Sequence, residues 1–271
     1  MKRSFRIALV LCTIASVRLP AQQREADAAV PPPLFRPRDA VVATLFTGAS
    51  IGLMQFDSRI ARELRSEGAQ GNSTYDAVAD VASLVNEKSL LAAAIVAWAG
   101  GRITSSRTVA DVGWHAAEAI IVSGVASTIV RGALGRSRPF VTADRDAFDY
   151  EPGQGFTKLS YRAFPSIHAV ASFAAAAVVS GEVTERAPGA APFVTPVVYV
   201  LAALPGLGRM YKDKHWASDV LMGGFVGTMA GRKVVRYHHS RPDTKLDRIM
   251  LGVMPTVDPI GRPAIVVAFT F

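Results

Sequence analysis

Three short segments of this chain hold the residue types needed to handle a phosphoryl group. The first carries Arg131, Arg138 and Pro139, the second Pro165, Ser166, Ile167 and His168, and the third Arg209, His215 and Asp219. Together they supply three arginines, two histidines, a serine and an aspartate. Fixed cations hold an oxyanion, one histidine attacks and the other donates a proton. Those are the parts of an acid-phosphatase-type reaction.

Each segment also has a plain structural explanation. Arg131 and Arg138 are seven apart, two helical turns, and Gly132, Gly135 and Pro139 predict a helix end that delivers both guanidiniums to one mouth. Taken alone, this is equally a basic helix end stabilised by its dipole. Ser166 follows Pro165 and precedes an alanine-rich run, so it is placed to cap a helix whose N-terminus attracts anions, with His168 in its first turn. An ordinary capped helix gives the same pattern. His215 and Asp219 are four apart, so on a helix the carboxylate reaches the imidazole and fixes its tautomer, with Arg209 upstream on a loop. Surface His/Asp pairs at this spacing are common. What the separate explanations do not account for is the order and internal spacing of all three segments.

In these segments the chain resembles the type 2 phosphatidic-acid phosphatase and vanadium haloperoxidase superfamily. That family's pattern is Lys or Arg, six residues, Arg-Pro; then Pro-Ser-Gly-His; then Ser-Arg, five residues, His, three residues, Asp. The chain matches it at Arg131, Arg138, Pro139, Pro165, Ser166, His168, Arg209, His215 and Asp219. The resemblance implies an all-α core and roles for these residues. His215 would attack phosphorus and carry a phosphohistidine, Asp219 would orient it, and His168 would protonate the leaving oxygen. Arg131, Arg138, Arg209, Ser166 and the backbone at Ile167 would hold the phosphoryl oxygens. The resemblance implies no metal for hydrolysis, and vanadate only if the chain were a haloperoxidase. There are two departures. Ile167 stands where the family has glycine, which a left-handed backbone there would not tolerate, and Gly208 stands where it has serine.

The elements that must position these residues read as helices. Of the 271 residues, 50% are hydrophobic and 19% charged. Helices are predicted over residues 40–56, 78–100, 109–134, 166–182, 192–204 and 216–237, making a bundle of about six, with charged residues 57–72 as loop after a short helix. Residues 142–162 read as a long polar surface loop joining two of the site segments, the place for substrate selection through Tyr150, Phe156, Tyr161, Lys158 and Arg162. The tail 241–271 alternates at Ile249, Leu251 and Val253, turns at 258–261 and is apolar from 264, which predicts a β-hairpin.

Residues 1–21 have the basic start and short apolar core of an export signal, followed by a Pro-rich arm over 22–38 and a helical domain over 39–240. An uncleaved anchor is the alternative. The net charge is +8, and loss of Lys2, Arg3, Arg6 and Arg18 with the signal leaves +4. No Lys/Arg run marks a nucleic-acid surface. Cys12 is the one cysteine and lies in the signal, so disulfides and thiol chemistry have no part in the rest. His115 with Asp111 and Glu118 lacks the second half of a metal site and reads as a buried polar cluster, His238 and His239 as a solvated tail, and Trp114 and Trp216 as packing.

The expectation is an exported, envelope-located, metal-independent phosphatase. Its partners would be a membrane surface or bilayer and a phosphorylated substrate, with lipid phosphates such as phosphatidic acid or polyprenyl diphosphate favoured over small phosphoesters. The bundle is expected to be soluble or peripherally attached, ahead of a bilayer-spanning form. A vanadate-dependent haloperoxidase and a decayed anion-binding envelope protein are the alternatives, the last motivated by Ile167.

Overall fold

The computed structural model describes residues 32–142, 146–241, 253–257 and 263–267. The export segment expected at 1–21, most of the 22–38 arm and the turn expected at 258–261 lie outside the described residues. Among the described residues the fold is α-helical: α1 Pro37–Leu64, α2 Glu67–Gln70, α3 Ser73–Leu84, α4 Glu87–Ile103, α5 Arg107–Leu134, α6 Ile167–Arg186, α7 Ala191–Tyr211 and α8 Ala217–Ser240. Two short strands, β1 Val253–Val257 and β2 Pro263–Val267, pair antiparallel with Val253 opposite Val267.

The centre of the bundle is α5, α6 and α8, and small residues make it. Ala169, Ala171, Ala174 and Ala177 of α6 are buried. They face glycines on α8 so closely that a Cβ on Gly227 would lie 2.2 Å from the Val170 carbonyl and one on Gly223 2.6 Å from that of Ser166. Such contacts let backbones approach without side chains between them. As a result the amino ends of α6 and α8 sit side by side, joined by the Ser166 amide donating to the Asp219 carbonyl at 3.0 Å.

Four helix boundaries differ from the sequence expectation, and each moves a residue that matters. First, α1 begins at Pro37 and runs through Asp57 to Leu64, because residues 57–64 contain neither Gly nor Pro and are mostly good helix formers. Asp57 is thereby buried in the bundle instead of sitting in a loop. Second, the helix expected over 78–100 is two helices bent by 55°. Asn86 starts the second by accepting from the Lys88 and Ser89 amides at 3.0 and 3.1 Å, a cap with a visible sequence signature. Third, α7 continues through Pro196 and Pro205 to Tyr211, so Arg209 is in its last turn and not on a loop. Ser172 Oγ donates to the Ala202 carbonyl at 2.7 Å, next to the turn that Pro205 interrupts. Fourth, α8 carries on to Ser240 and takes both terminal histidines with it.

Those histidines are not a solvated tail. His238 is buried; its Nε2 meets Glu118 Oε2 at 2.6 Å and its ring stacks on His115 with centroids 4.1 Å apart. His115 Nδ1 meets Glu182 Oε1 at 2.6 Å, and Arg186 bridges Glu182, at 2.8 Å, and Asp111. Asp111, His115 and Glu118 of α5 therefore each have an opposite partner from α6 or α8.

The outer faces are apolar. Ile121, Val122, Val125 and Ile129 on α5 and Phe193, Val197, Val200, Leu201 and Leu207 on α7 are exposed. Four helices (α1, α5, α6 and α7) are long and apolar enough to cross a membrane, and the bent α3–α4 pair passes the same test as one broken span.

Candidate active site

The three sequence segments meet at one end of the bundle. Leu134 is the last residue of α5, and Gly135 follows it in the left-handed conformation at φ 60°, ψ 43°. A Cβ there would lie 1.8 Å from the Glu151 carbonyl, so only glycine fits. The turn leaves Arg131 in the last helical turn and carries Arg138 beyond it. Ser166 and His168 open α6, Arg209 closes α7, and His215 immediately precedes Trp216, the residue at the start of α8.

Each of the polar residues among these keeps one buried polar atom unpaired. Arg131 Nε, Arg138 Nε, Ser166 Oγ, His168 Nδ1, Arg209 Nε and His215 Nε2 are all shielded from solvent and make no hydrogen bond among the described residues. A buried polar atom without a partner is costly, and these six, drawn from all three segments, are free to meet a bound group. Ser166 shows this most directly. It occupies the N-cap position, as its sequence context predicts, yet its hydroxyl caps nothing.

The two histidine rings lie 6.3 Å apart between centroids, tilted by 59°. His215 Nδ1 sits 2.9 Å from the Ala163 carbonyl. A carbonyl only accepts, so Nδ1 carries the proton and Nε2 presents a lone pair. Burial, and then the charges of Arg138, Arg209 and Arg131, hold the imidazole well below its usual pKa, so it is neutral at pH 7. Burial beside Arg209 and Arg131 also pulls the Arg138 guanidinium down to about 10, still charged at neutral pH. Bringing in an anion relieves that crowding of cations.

The bond expected between His215 and Asp219 is not the one that orients the ring. Their separation is 3.5 Å, longer than the bond to Ala163. Asp219 is otherwise engaged: Oδ2 accepts from the Trp216 amide at 2.7 Å and Oδ1 from Arg136 Nη1 at 2.6 Å. Its role is to hold the turn that carries His215.

Two departures from the family pattern turn out to be structurally neutral. The non-glycine residues at positive φ are Ser105 and Asp213 among the described residues, so Ile167 has an ordinary helical backbone and loses nothing for lack of glycine. Gly208 lies where α7 crosses α3; a Cβ would meet that of Ala82 at 3.1 Å, so glycine suits the close crossing.

The 142–162 connection is more than a surface loop. Residues 143–145 lie outside the described residues, but its remainder is tied to the site by backbone bonds from Ser137 to Asp149 (3.0 Å), Arg138 to Ser160 (2.9 Å) and Glu151 to Gly135 (2.8 Å). Ala147 and Gly155 are buried, and Arg162 donates to the carbonyls of Gly155 and Phe156. Phe156 is exposed, as is Lys158, while Tyr150 and Tyr161 are half-buried. The segment 146–157 thus contributes to the core and is not a free surface connection.

Sequence reasoning missed Asp57, Arg136 and Ser218. All three are buried, and they hydrogen-bond to one another beneath the turn that carries His215. Arg136 sits inside the first segment and carried a local signal as a third arginine; Asp57 lies 79 residues earlier and carried none.

The helical bundle thus ends in a cluster of cations around a neutral, tautomerically fixed histidine, an arrangement with the chemistry to hold an oxyanion. Residues 112–243, which carry the site, match the model of the PAP2 superfamily. A lipid A 1-phosphatase of Porphyromonas gingivalis is 35% identical over 68 residues, which are 25% of this chain and 14% of that protein. The chain thus spans a small part of that relative's length. The crystal structure of a transmembrane PAP2 type phosphatidylglycerolphosphate phosphatase from Bacillus subtilis aligns with a TM-score of 0.41 at 18% identity, over 72% of this chain and 98% of that one. Among the described residues no group of three His, Cys, Asp or Glu is placed to hold a metal ion.

Proposed function

We propose that the chain is a lipid-phosphate phosphatase, integrated in a membrane, that hydrolyses a phosphomonoester or diphosphate through a phosphohistidine. The observation that carries this is the ring of six orphaned polar atoms. In this reading Arg131, Arg138, Arg209, Ser166 Oγ and the Ile167 amide hold the non-bridging oxygens. His215 Nε2 attacks phosphorus in line with the leaving oxygen, and His168 protonates that oxygen as its bond breaks. Water then attacks the phosphohistidine, with His168 taking its proton, and phosphate leaves. No metal enters these steps, because the three guanidiniums supply the charge that a metal would.

The lipid part of the proposal rests on what adjoins the site. An apolar groove of about 680 Å³ is lined by residues including Val78, Val81, Leu90, Val179, Leu201 and Pro205. Ser172 and Pro205 line it, and they lie one helical turn from His168 and Arg209. A molecule with a phosphorylated head and an apolar tail fits both surfaces at once. The test is phosphate release by purified protein in EDTA from long-chain lipid phosphates and from p-nitrophenyl phosphate. Release that survives EDTA, favours the lipids and falls by about a thousandfold or more in His215→Ala is expected. Equal activity of His215→Ala sinks the nucleophile.

Orientation has a constraint of its own. The site lies at the carboxyl end of α1, near Asp57. If α1 crosses the bilayer, a translocated amino terminus would leave the site in the cytoplasm. A site facing outward therefore requires the amino end to stay inside, which suits Lys2, Arg3, Arg6, Arg18, Arg24, Arg36 and Arg38. We propose that arrangement in place of a cleaved export signal. In a Cys12→Ser background, the exposed Ala133→Cys should react with a membrane-impermeant maleimide in intact cells; protection until lysis reverses the orientation.

A further inference from the structure

We infer that Asp57 is a positioning residue for the proposed histidine chemistry, acting through Arg136 and the first turn of α8. It belongs to α1, outside the residues 112–243 that match the family.

The geometry is a carboxylate–guanidinium–carboxylate sandwich with no solvent exposure. Arg136 Nη2 donates to Asp57 Oδ2 at 2.8 Å and Nη1 to Asp219 Oδ1 at 2.6 Å, and all three side chains have 0% exposure. Arg136 Nη1 also donates to Ser218 Oγ at 2.8 Å, and Nε to the Ala147 carbonyl at 3.0 Å. Asp57 does two things at once. Its Oδ1 accepts from the Ser218 amide at 3.0 Å, satisfying a free N–H at the start of α8 from a different helix, while its Oδ2 accepts from Ser218 Oγ as well as from Arg136. It is a cap supplied in trans.

Every bond that fixes His215 leads back to this sandwich. The Ala163 carbonyl holds His215 Nδ1, and the Ala163 amide donates to the Arg136 carbonyl at 3.1 Å. Trp216, next to His215 in sequence, is held by Asp219 through its amide and by the Ser137 carbonyl through its indole N–H at 2.8 Å. The Asp219 carbonyl in turn holds the Ser166 amide, which sets the start of α6 and with it Ser166 Oγ and His168. Asp57 touches no residue proposed to contact phosphate. Its effect is on where the nucleophile and the acid stand, and small displacements of reacting groups cost rate far more than they cost binding.

This inference rests on the proposed phosphatase reading, and the experiment separates the two. Asp57→Asn keeps the shape and leaves Arg136 paired with Asp219, so no unpaired buried charge is created and the protein is expected to fold. Wild type and variant are compared in kcat and KM for p-nitrophenyl phosphate, and in inhibition constants for inorganic phosphate and orthovanadate. Phosphate reports ground-state anion binding, whereas five-coordinate vanadate reports the aligned nucleophile. Expected are a kcat lower by about ten- to hundredfold, a vanadate constant raised about as much, and a KM and a phosphate constant within about twofold of wild type. A folded variant with wild-type kcat and vanadate affinity overturns the inference. So does a parallel loss of phosphate and vanadate binding, which is what general loosening produces. If wild type is inert on all phosphoesters, the phosphatase reading fails, and the ratio of vanadate to phosphate dissociation constants, measured by calorimetry on wild type and variant, alone decides the positioning role. Should Asp57→Asn not fold, Ser218→Ala removes one link of the same chain and is read by the same ratio, with the same overturning results.

Discussion

The two ends of the bundle carry buried polar clusters of similar composition and opposite design. At one end, Glu182 and Glu118 meet His115 and His238 at 2.6 Å each, and Arg186 adds a bond to Glu182 at 2.8 Å. At the other end Arg138, Ser166, His168, Arg209 and His215 each keep a buried polar atom without a partner. Counting along α6 from His168 to Glu182, the two clusters are ~21 Å apart. What separates the two is which atoms are left over: at the first end both histidines meet a carboxylate and Asp111 Oδ1 is left without a partner among the described residues, whereas at the second the leftover atoms include guanidinium nitrogens of three arginines. The first ties three helices together; the second is suited to an anion.

That contrast is open to attack from both ends. The largest effect is expected at the open end. Arg138→Ala should lower kcat/KM for a phosphoester by about a hundred- to a thousandfold, the loss typical of one oxyanion contact, with the melting temperature unchanged or raised because cation crowding is relieved. A large fall in melting temperature with activity retained would mean that the arginines are structural. At the closed end the effects should swap. Glu182→Ala strands His115 and leaves Arg186 with Asp111 alone, and should destabilise the folded protein by about 3–5 kcal/mol, while kcat per folded molecule stays within about twofold. Thermal melting in detergent alongside single-concentration turnover checks both. The smallest effect is expected for Ile167→Gly. Its backbone already has an ordinary helical φ, so turnover should change by less than about threefold, with a slight loss of stability from glycine in a first turn. A large gain in turnover would support the reading of a decayed site.

The same contrast explains what could be read before the structure. The site residues were legible because His168, His215 and the arginines are spaced by helical geometry within short segments, and local spacing survives folding. The helical class was legible for the same reason, from apolar runs bounded by Gly135 and by the Pro165–Ser166 step. The reach of Asp219 to His215 was legible, and the two stand 3.5 Å apart; the nearer Ala163 carbonyl was not, because it arrives from 52 residues away. The partners of His238 were hidden similarly, since Glu118 lies 120 residues before it. Boundaries failed where tertiary packing overrode local signals: α7 passes through two prolines, and α1 passes the point where its charge begins.

Asp57 has a last consequence, for how the chain is made. It is 161 residues ahead of Ser218 and 79 ahead of Arg136. While the chain is being synthesised, α1 emerges with a carboxylate on its future inner face long before either partner exists. Until Arg136 follows, that charge must stay hydrated or borrow a temporary partner. A chain cut short before Arg136 therefore displays an uncompensated acid, a mark by which incomplete copies differ from finished ones.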